Sequence, residues 1–193
     1  GENVAILAGD GLFAEAMRLF CRQEGDPERV VAALRELVSA TGVRGMVGGQ
    51  YVDVTTFDVR DGSAPRADPD ALRRMHALKT GRLIAASVGV VLELGGMDEA
   101  ATIPYRRFAD ELGVLFQIVD DILDVTGSDE ELGKPSGSDE RHGKLTYVSA
   151  FGLERARELA SDSHRKARAA LAETGARTDD LARITDFIHT RHA

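Results

Sequence analysis

The sequence predicts an all-α protein, and three observations carry that prediction. Apolar residues recur at helical spacing along most of the chain. Two Asp-Pro pairs mark helix starts. Only one short stretch is patterned for a strand. Val4 to Cys21 places Val4, Leu7, Ala8, Leu12, Ala16, Leu19 and Phe20 on a helical repeat. Asp26-Pro27-Glu28 opens the next helix, with Asp26 as N-cap and Pro27 at the first position, and leads into Val30, Val31, Leu34, Leu37 and Val38. Thr41-Gly42 and Gly45 punctuate the next stretch. Gly48-Gly49 then sets two residues without side chains together; glycine costs about 1 kcal/mol in a helix, so the pair marks a close backbone approach. Tyr51 to Val59 is rich in β-branched residues and is locally strand-like.

Asp61-Gly62 to Pro65 forms a loop. Asp68-Pro69-Asp70 opens a long helix through Leu72, Met75, Leu78, Leu83, Ile84 and Val91, stopping at Gly95-Gly96. A further helix runs from about Asp98 to Val125. Gly127 to Gly143 is rich in Gly, Ser and charge, a loop. Thr146 to Arg191 carries two or three amphipathic helices, with Thr178-Asp179-Asp180 capping the last. No internal repeat or domain boundary is visible.

Composition narrows the function. The 193 residues hold 24 Lys+Arg against 32 Asp+Glu, a net charge of −8. An acidic surface excludes non-specific binding to nucleic acid or anionic membranes, both of which need basic patches. One cysteine excludes an internal disulfide framework and a cysteine-rich zinc site, and fits a reducing, cytoplasmic setting. Cys21 has no His beside it, and the five His residues show no zinc spacing. The longest apolar run, Leu83 to Leu92, stops at Glu93 and falls short of the roughly 18 residues of a transmembrane segment. No basic stretch followed by an apolar run opens the chain. Gly1 stands where a start Met is expected, so residue 1 is read as lying inside a longer chain.

The informative segment is Phe116 to Asp124. At about 100° per residue, with Gln117 at zero, Asp120 falls at about −60°, Asp121 at about +40° and Asp124 at about −20°. Four polar side chains therefore share one face, with Ile118, Val119, Ile122 and Leu123 opposite. Such a face is either a solvated acidic stripe or a place for a cation, since like charges at this spacing repel by a few tenths of a kcal/mol per pair, on the order of helix-pair energies. Oxygen-only ligands suit Mg²⁺, which keeps several waters and takes one or two carboxylates plus substrate phosphates.

The following loop holds Gly133-Lys134 and Gly143-Lys144. These are solvated surface lysines, or point charges for phosphate beside glycines that let the backbone come close. Lys79-Thr80-Gly81 interrupts an apolar helix, as a snorkelling lysine or as a cation and hydroxyl held in a dry cavity, with Gly81 loosening the helix there. Asp10 fits a helix-packing or polar-network role.

Taken in order, these residues resemble a known family. Asn3 to Asp10, Gly48-Gly49-Gln50, Lys79-Thr80-Gly81, Phe116-Gln117-x-x-Asp120-Asp121-x-x-Asp124, Gly133-Lys134-x-x-Gly137-x-Asp139 and Gly143-Lys144-x-Thr146-Tyr147 are similar to the motifs of the polyprenyl synthetases, the trans-isoprenyl diphosphate synthases. Bacterial farnesyl and geranylgeranyl diphosphate synthases are the most similar group. Each motif is weak alone; the ordered set is specific and covers essentially the whole chain.

The resemblance implies a helical bundle of the isoprenoid synthase type around a central cavity, a homodimer, and a helical Tyr51 to Val59 against the local propensity. It implies head-to-tail transfer of an allylic diphosphate onto isopentenyl diphosphate, assisted by Mg²⁺. Asp120, Asp121 and Asp124 are then the metal carboxylates, the latter two partly through water. Lys79, Lys134 and Lys144 hold the allylic diphosphate. Gln117, Thr80 and the Lys79 and Thr80 carbonyls face the developing cation, Gln50 lies along the prenyl cavity, and Asp139 binds metal-held water or orients Lys134.

The family's first Asp-rich motif, its following Arg pair and its isopentenyl diphosphate residues lie upstream of Asn3. Residues 1–193 thus correspond to the C-terminal two-thirds of a single synthase domain. Two other readings remain at this point. One is a regulatory subunit or truncated homologue, favoured by the absent first motif and opposed by Asp120-Asp121-x-x-Asp124. The other is a class I terpene synthase, opposed by the paired Gly-Lys motifs.

Overall fold

The computed structural model describes residues 1–56, 69–127 and 145–191. The described residues form helices and a π-helical turn, with no strand among them. In chain order these are α1 (Glu2–Cys21), α2 (Pro27–Thr41), α3 (Met46–Thr56), α4 (Pro69–His76), the π-turn (Ala77–Gly81), α5 (Arg82–Gly95), α6 (Glu99–Thr126), α7 (Tyr147–Phe151), α8 (Leu153–Glu173) and α9 (Asp179–Thr190). The 133–144 motifs, with Lys134, Asp139 and Lys144, lie outside the described residues, as does the loop read from Asp61 to Pro65.

One helix-start signal, Asp26-Pro27, acts as its chemistry requires. The Asp26 carboxylate accepts from the Glu28 amide at 2.9 Å, with Pro27 following it in the first turn. Gly96 closes α5 in the left-handed conformation at φ 59°, where glycine has no Cβ to clash. Thr178 sits at the N-cap of α9 but makes no side-chain capping bond.

α6 is the hub. It buries Phe108, Leu112, Leu115, Ile118 and Val119, and it runs through Pro104 without ending. α8 lies along it through the small residues Ala156, Ala160, Ser163, Ala167 and Ala170, a helically spaced stripe that lets the two backbones approach. α5, the π-turn and α9 pack on its other sides.

Two corrections concern single segments. Tyr51 to Thr56 is helical, as part of α3, and not a strand. Packing overrides β-propensity here, because α3 must press its glycine face against the π-turn. α1 is helical as expected, yet none of its residues is buried. Val4, Ile6, Leu7, Leu12 and Phe13 are all more than half exposed, and Asp10 is exposed among the described residues too.

The π-turn is the unusual element. The Arg82 amide donates to the Ala77 carbonyl five residues back, which widens the helix by one residue at Lys79-Thr80-Gly81. It is seated between two glycines. A Cβ on Gly49 of α3 would stand 2.3 Å from the Lys79 nitrogen, and a Cβ on Gly113 of α6 would stand 2.9 Å from the Gly81 Cα. Both contacts are with backbone, which has little room to yield. The close approach marked in the sequence by Gly48-Gly49 is therefore the approach of α3 to the π-turn.

Gly49→Ala is expected to lower unfolding stability by about 1–3 kcal/mol, the usual cost of overpacking. Gly95→Ala, where a Cβ meets nothing within 4 Å, should be neutral or stabilising by up to about 1 kcal/mol. Urea unfolding of the two variants checks the contrast.

Candidate active site

The π-turn and α6 face each other, and their polar side chains form a continuous chain of hydrogen bonds. The Thr80 hydroxyl donates to Gln117 Oε1 at 3.2 Å. Gln117 Nε2 donates to Asp121 Oδ1 at 2.7 Å, one helical turn on. The Tyr147 backbone amide donates to Asp121 Oδ2 at 2.7 Å. These bonds fix which end of the Gln117 amide faces which neighbour.

Local sequence explains the last bond. Thr146 opens α7 with a capping box: its hydroxyl accepts from the Ser149 amide at 3.0 Å, and the Ser149 hydroxyl accepts from the Thr146 amide at 2.8 Å. The next amide, that of Tyr147, has no partner inside the helix, and a carboxylate at a helix N-terminus suits both the bare donor and the helix dipole. The Tyr147 ring is 2 % exposed and stacks on His76 at 5.7 Å and on Phe151 at 6.1 Å. Burial pushes its phenol pKa up, against the opposing pull of Arg73.

The three aspartates that share a face in the helical wheel occupy different environments. Asp121 and Asp124 are 2 % and 3 % exposed, so they are not part of a solvated stripe. The Asp120 side chain is 54 % exposed, and its Oδ1 lies 3.8 Å from Arg191 Nη2 at the end of α9. Among the described residues, no three His, Cys, Asp or Glu side chains converge on a common point as a metal cage. Of the three aspartates, Asp120 is the one open to a cation, which would also draw on water and a ligand's own oxygens. That fits the oxygen chemistry and partial hydration of Mg²⁺.

Lys79 is not snorkelling free in solvent. Its Nζ lies 2.6 Å from Asp53 Oδ2, in an ion pair whose side chains are 30 % and 9 % exposed. Asp53 stands one turn beyond Gly49 on α3. The same helix that admits the Lys79 backbone thus also supplies its counter-ion. Lys79 and Thr80 line a cavity of about 420 Å³ whose other walls include Leu83, Ile84, Leu112, Phe116 and Ile188.

The structure therefore brings together Lys79, Thr80, Gln117 and Asp121, with Asp120 on the same helix. It does not bring Gln50 to them: Gln50 is exposed and is not part of the apolar cavity's lining. Three contributors were missed in the sequence. Asp53 had a signal in its spacing from Gly49. Tyr147 stood in the Gly143-Lys144-x-Thr146-Tyr147 motif, but nothing in the sequence tied its amide to Asp121, and Arg191 had no signal, since each reaches the site from a distant part of the chain.

The packing of these helices around α6 is the all-helical arrangement of the isoprenyl synthases. The geranylgeranyl pyrophosphate synthetase of Pyrococcus horikoshii superposes with a TM-score of 0.83 at 28% identity, over 98% of this chain and 68% of that one. A geranyltransferase of Helicobacter pylori, solved in complex with magnesium and isoprenyl diphosphate, superposes with a TM-score of 0.79 at 27% identity, over 96% of this chain and 59% of that one. The chain belongs to the polyprenyl synthetase family, whose model matches residues 1–190. It is 37% identical over 193 residues to geranylgeranyl pyrophosphate synthase 4 of Arabidopsis thaliana, covering all of this chain and 51% of that protein. The chain spans about half the length of the curated relatives it matches. Among the described residues, no helix is long and apolar enough to cross a membrane.

Asp120 and Asp121 are neighbours in sequence with opposite stability roles. Asp121→Ala strips acceptors from Gln117 and from the Tyr147 amide, and should cost about 1–3 kcal/mol for each buried donor left bare. Asp120→Ala should change stability by no more than about 0.5 kcal/mol. Comparing the urea midpoints of the two variants reads this difference.

Proposed function

We propose that this chain carries one side of the active site of a trans-prenyltransferase. The enzyme condenses an allylic diphosphate head to tail with isopentenyl diphosphate, giving a short-chain trans-prenyl diphosphate. Residues 1–193 correspond to the C-terminal part of a single synthase domain. The observation that supports this best is the apolar cavity walled by Leu83, Ile84, Leu112 and Phe116 directly against the Lys79-Thr80 turn. A charged group beside an apolar hollow is what a diphosphate with a hydrocarbon tail requires. Membership of the family, and the H. pylori relative solved with magnesium and isoprenyl diphosphate, support the same chemistry.

The roles follow from what the reaction demands. Ionising an allylic diphosphate puts negative charge on the leaving pyrophosphate and positive charge on the prenyl group. Mg²⁺, when bound, supplies Lewis-acid neutralisation of the leaving group. Asp120 is its primary protein ligand, and Asp121 and Asp124 act from behind. Lys79 binds the diphosphate as a point charge. Asp53 keeps that ammonium oriented before substrate arrives, and its three donors allow it to hold both partners.

Thr80 and Gln117 present fixed dipoles to the developing carbocation. Such groups stabilise positive charge without capturing it, as an exposed carboxylate or amine would. Their orientation is set by Asp121 through the Gln117 amide. The apolar wall excludes water, which would otherwise quench the cation. Lys134 and Lys144 add further positive charge for the diphosphate. A homodimer completes this reading, with the exposed apolar residues of α1 as surface available to it.

In a protein containing the full synthase domain, Lys79→Ala and Asp120→Ala should each reduce product formation by about 100–1,000-fold, the usual loss for one electrostatic catalytic contact. The assay follows label from isopentenyl diphosphate into prenyl product with a series of allylic diphosphates. Rates near wild type in both variants would reject the assignment.

A further inference from the structure

We infer that Arg191 couples cation binding to diphosphate binding at this site: it is the resident counter-ion of Asp120, displaced by a cation and taken up again by the diphosphate that accompanies it. The inference rests on the prenyltransferase reading of Asp120 and deepens it.

Arg191 follows the last residue of α9, and its backbone amide donates to the Phe187 carbonyl at 2.8 Å. That bond ties the residue to the helix end. Its side chain is held in place by two contacts. The guanidinium carbon lies 4.6 Å from the centre of the Phe116 ring, a cation–π geometry. Nη2 lies 3.8 Å from Asp120 Oδ1, close enough for charge attraction and too far for a hydrogen bond. Nε and Nη2 are buried atoms with no hydrogen-bond acceptor. Two desolvated donors on one edge of a charged fork are costly to leave unused.

That edge matches a pair of phosphate oxygens, which accept two parallel N–H bonds from one guanidinium. Phe116, the residue beneath Arg191, also lines the apolar cavity beside Lys79 and Thr80. Arg191 thus touches both Asp120 and a wall residue of that cavity, although it lines the neighbouring cavity between α6, α8 and α9 and not this one.

The consequence is an asymmetry. A divalent cation arriving alone at Asp120 must sit against an existing positive charge or drive it away, and it offers the guanidinium nothing in return. A cation arriving with a diphosphate brings oxygens that satisfy Nε and Nη2. Binding of either ligand is then strengthened by the other, a coupling free energy located in one side chain.

Calorimetric titration of the full chain with magnesium chloride alone, with pyrophosphate alone in chelator, and with pyrophosphate in saturating Mg²⁺ reads each term. Arg191→Gln should bind Mg²⁺ alone about 3–10-fold more tightly, and pyrophosphate in the presence of Mg²⁺ about tenfold more weakly. Arg191→Lys keeps the charge and loses the fork. It should leave Mg²⁺ binding near wild type and still weaken pyrophosphate. Far-UV circular dichroism monitors α9; if the Gln variant loses helix, the Lys variant decides. Unchanged pyrophosphate binding in both variants, or weaker Mg²⁺ binding in Arg191→Gln, overturns the role of Arg191. A wild-type chain that binds no pyrophosphate even with Mg²⁺ overturns the reading of the site itself, and this inference with it.

Discussion

The site is organised around the buried carboxylate of Asp121. One oxygen takes the amide of Gln117 on its own helix, and the other takes the first backbone amide of α7. A buried carboxylate is costly unless donors satisfy it. These donors come from two separate parts of the chain, so satisfying it joins them. Through Gln117 the constraint reaches the Thr80 hydroxyl on the π-turn. Through Tyr147 it fixes the start of α7 against α6. The hydrogen-bond chain spans α7, α6 and the π-turn, and each member limits the freedom of the next.

That network would be useless if the π-turn could drift. Its seat is steric: Gly49 on one side and Gly113 on the other allow backbone to touch backbone. The extra residue of the π-turn displaces Lys79 and Thr80 from the register of an ordinary helix. Asp53, one turn beyond Gly49, then captures the Lys79 ammonium. Packing sets the backbone, hydrogen bonds set the neutral dipoles, and an ion pair sets the cation. In the proposed reaction the three correspond to exclusion of water, stabilisation of a carbocation and binding of a diphosphate.

Much of this was legible in the sequence where its cause is local. Asp26-Pro27, Gly95-Gly96 and the apolar repeats define helix ends and faces through chemistry a few residues long. The shared face of Gln117, Asp120, Asp121 and Asp124 was legible too, because helical geometry alone creates it. Which of those carboxylates is buried was not, since burial depends on an amide 26 residues further on. Tyr51 to Thr56 misled for a related reason. Its β-branched residues favour a strand in isolation, and only the contact of Gly49 with the π-turn shows why a helix is needed. Arg191 was visible only as the end of the last helical stretch, and α9 is what brings it over Phe116. The exposed apolar face of α1 shows the opposite limit: its helical repeat was plain, but among the described residues α1 meets α2 only lightly and none of its side chains is buried.

The central claim is a division of labour between adjacent aspartates, in which Asp121 holds the site's shape and Asp120 meets the cation. The most direct measurement is a crystal structure of the chain with Mg²⁺ and a non-ionisable allylic diphosphate analogue. The account predicts a cation about 2.0–2.1 Å from an Asp120 oxygen, with Asp121 still bonded to Gln117 and the Tyr147 amide. A cation bound directly by Asp121, with those two bonds broken, would contradict it.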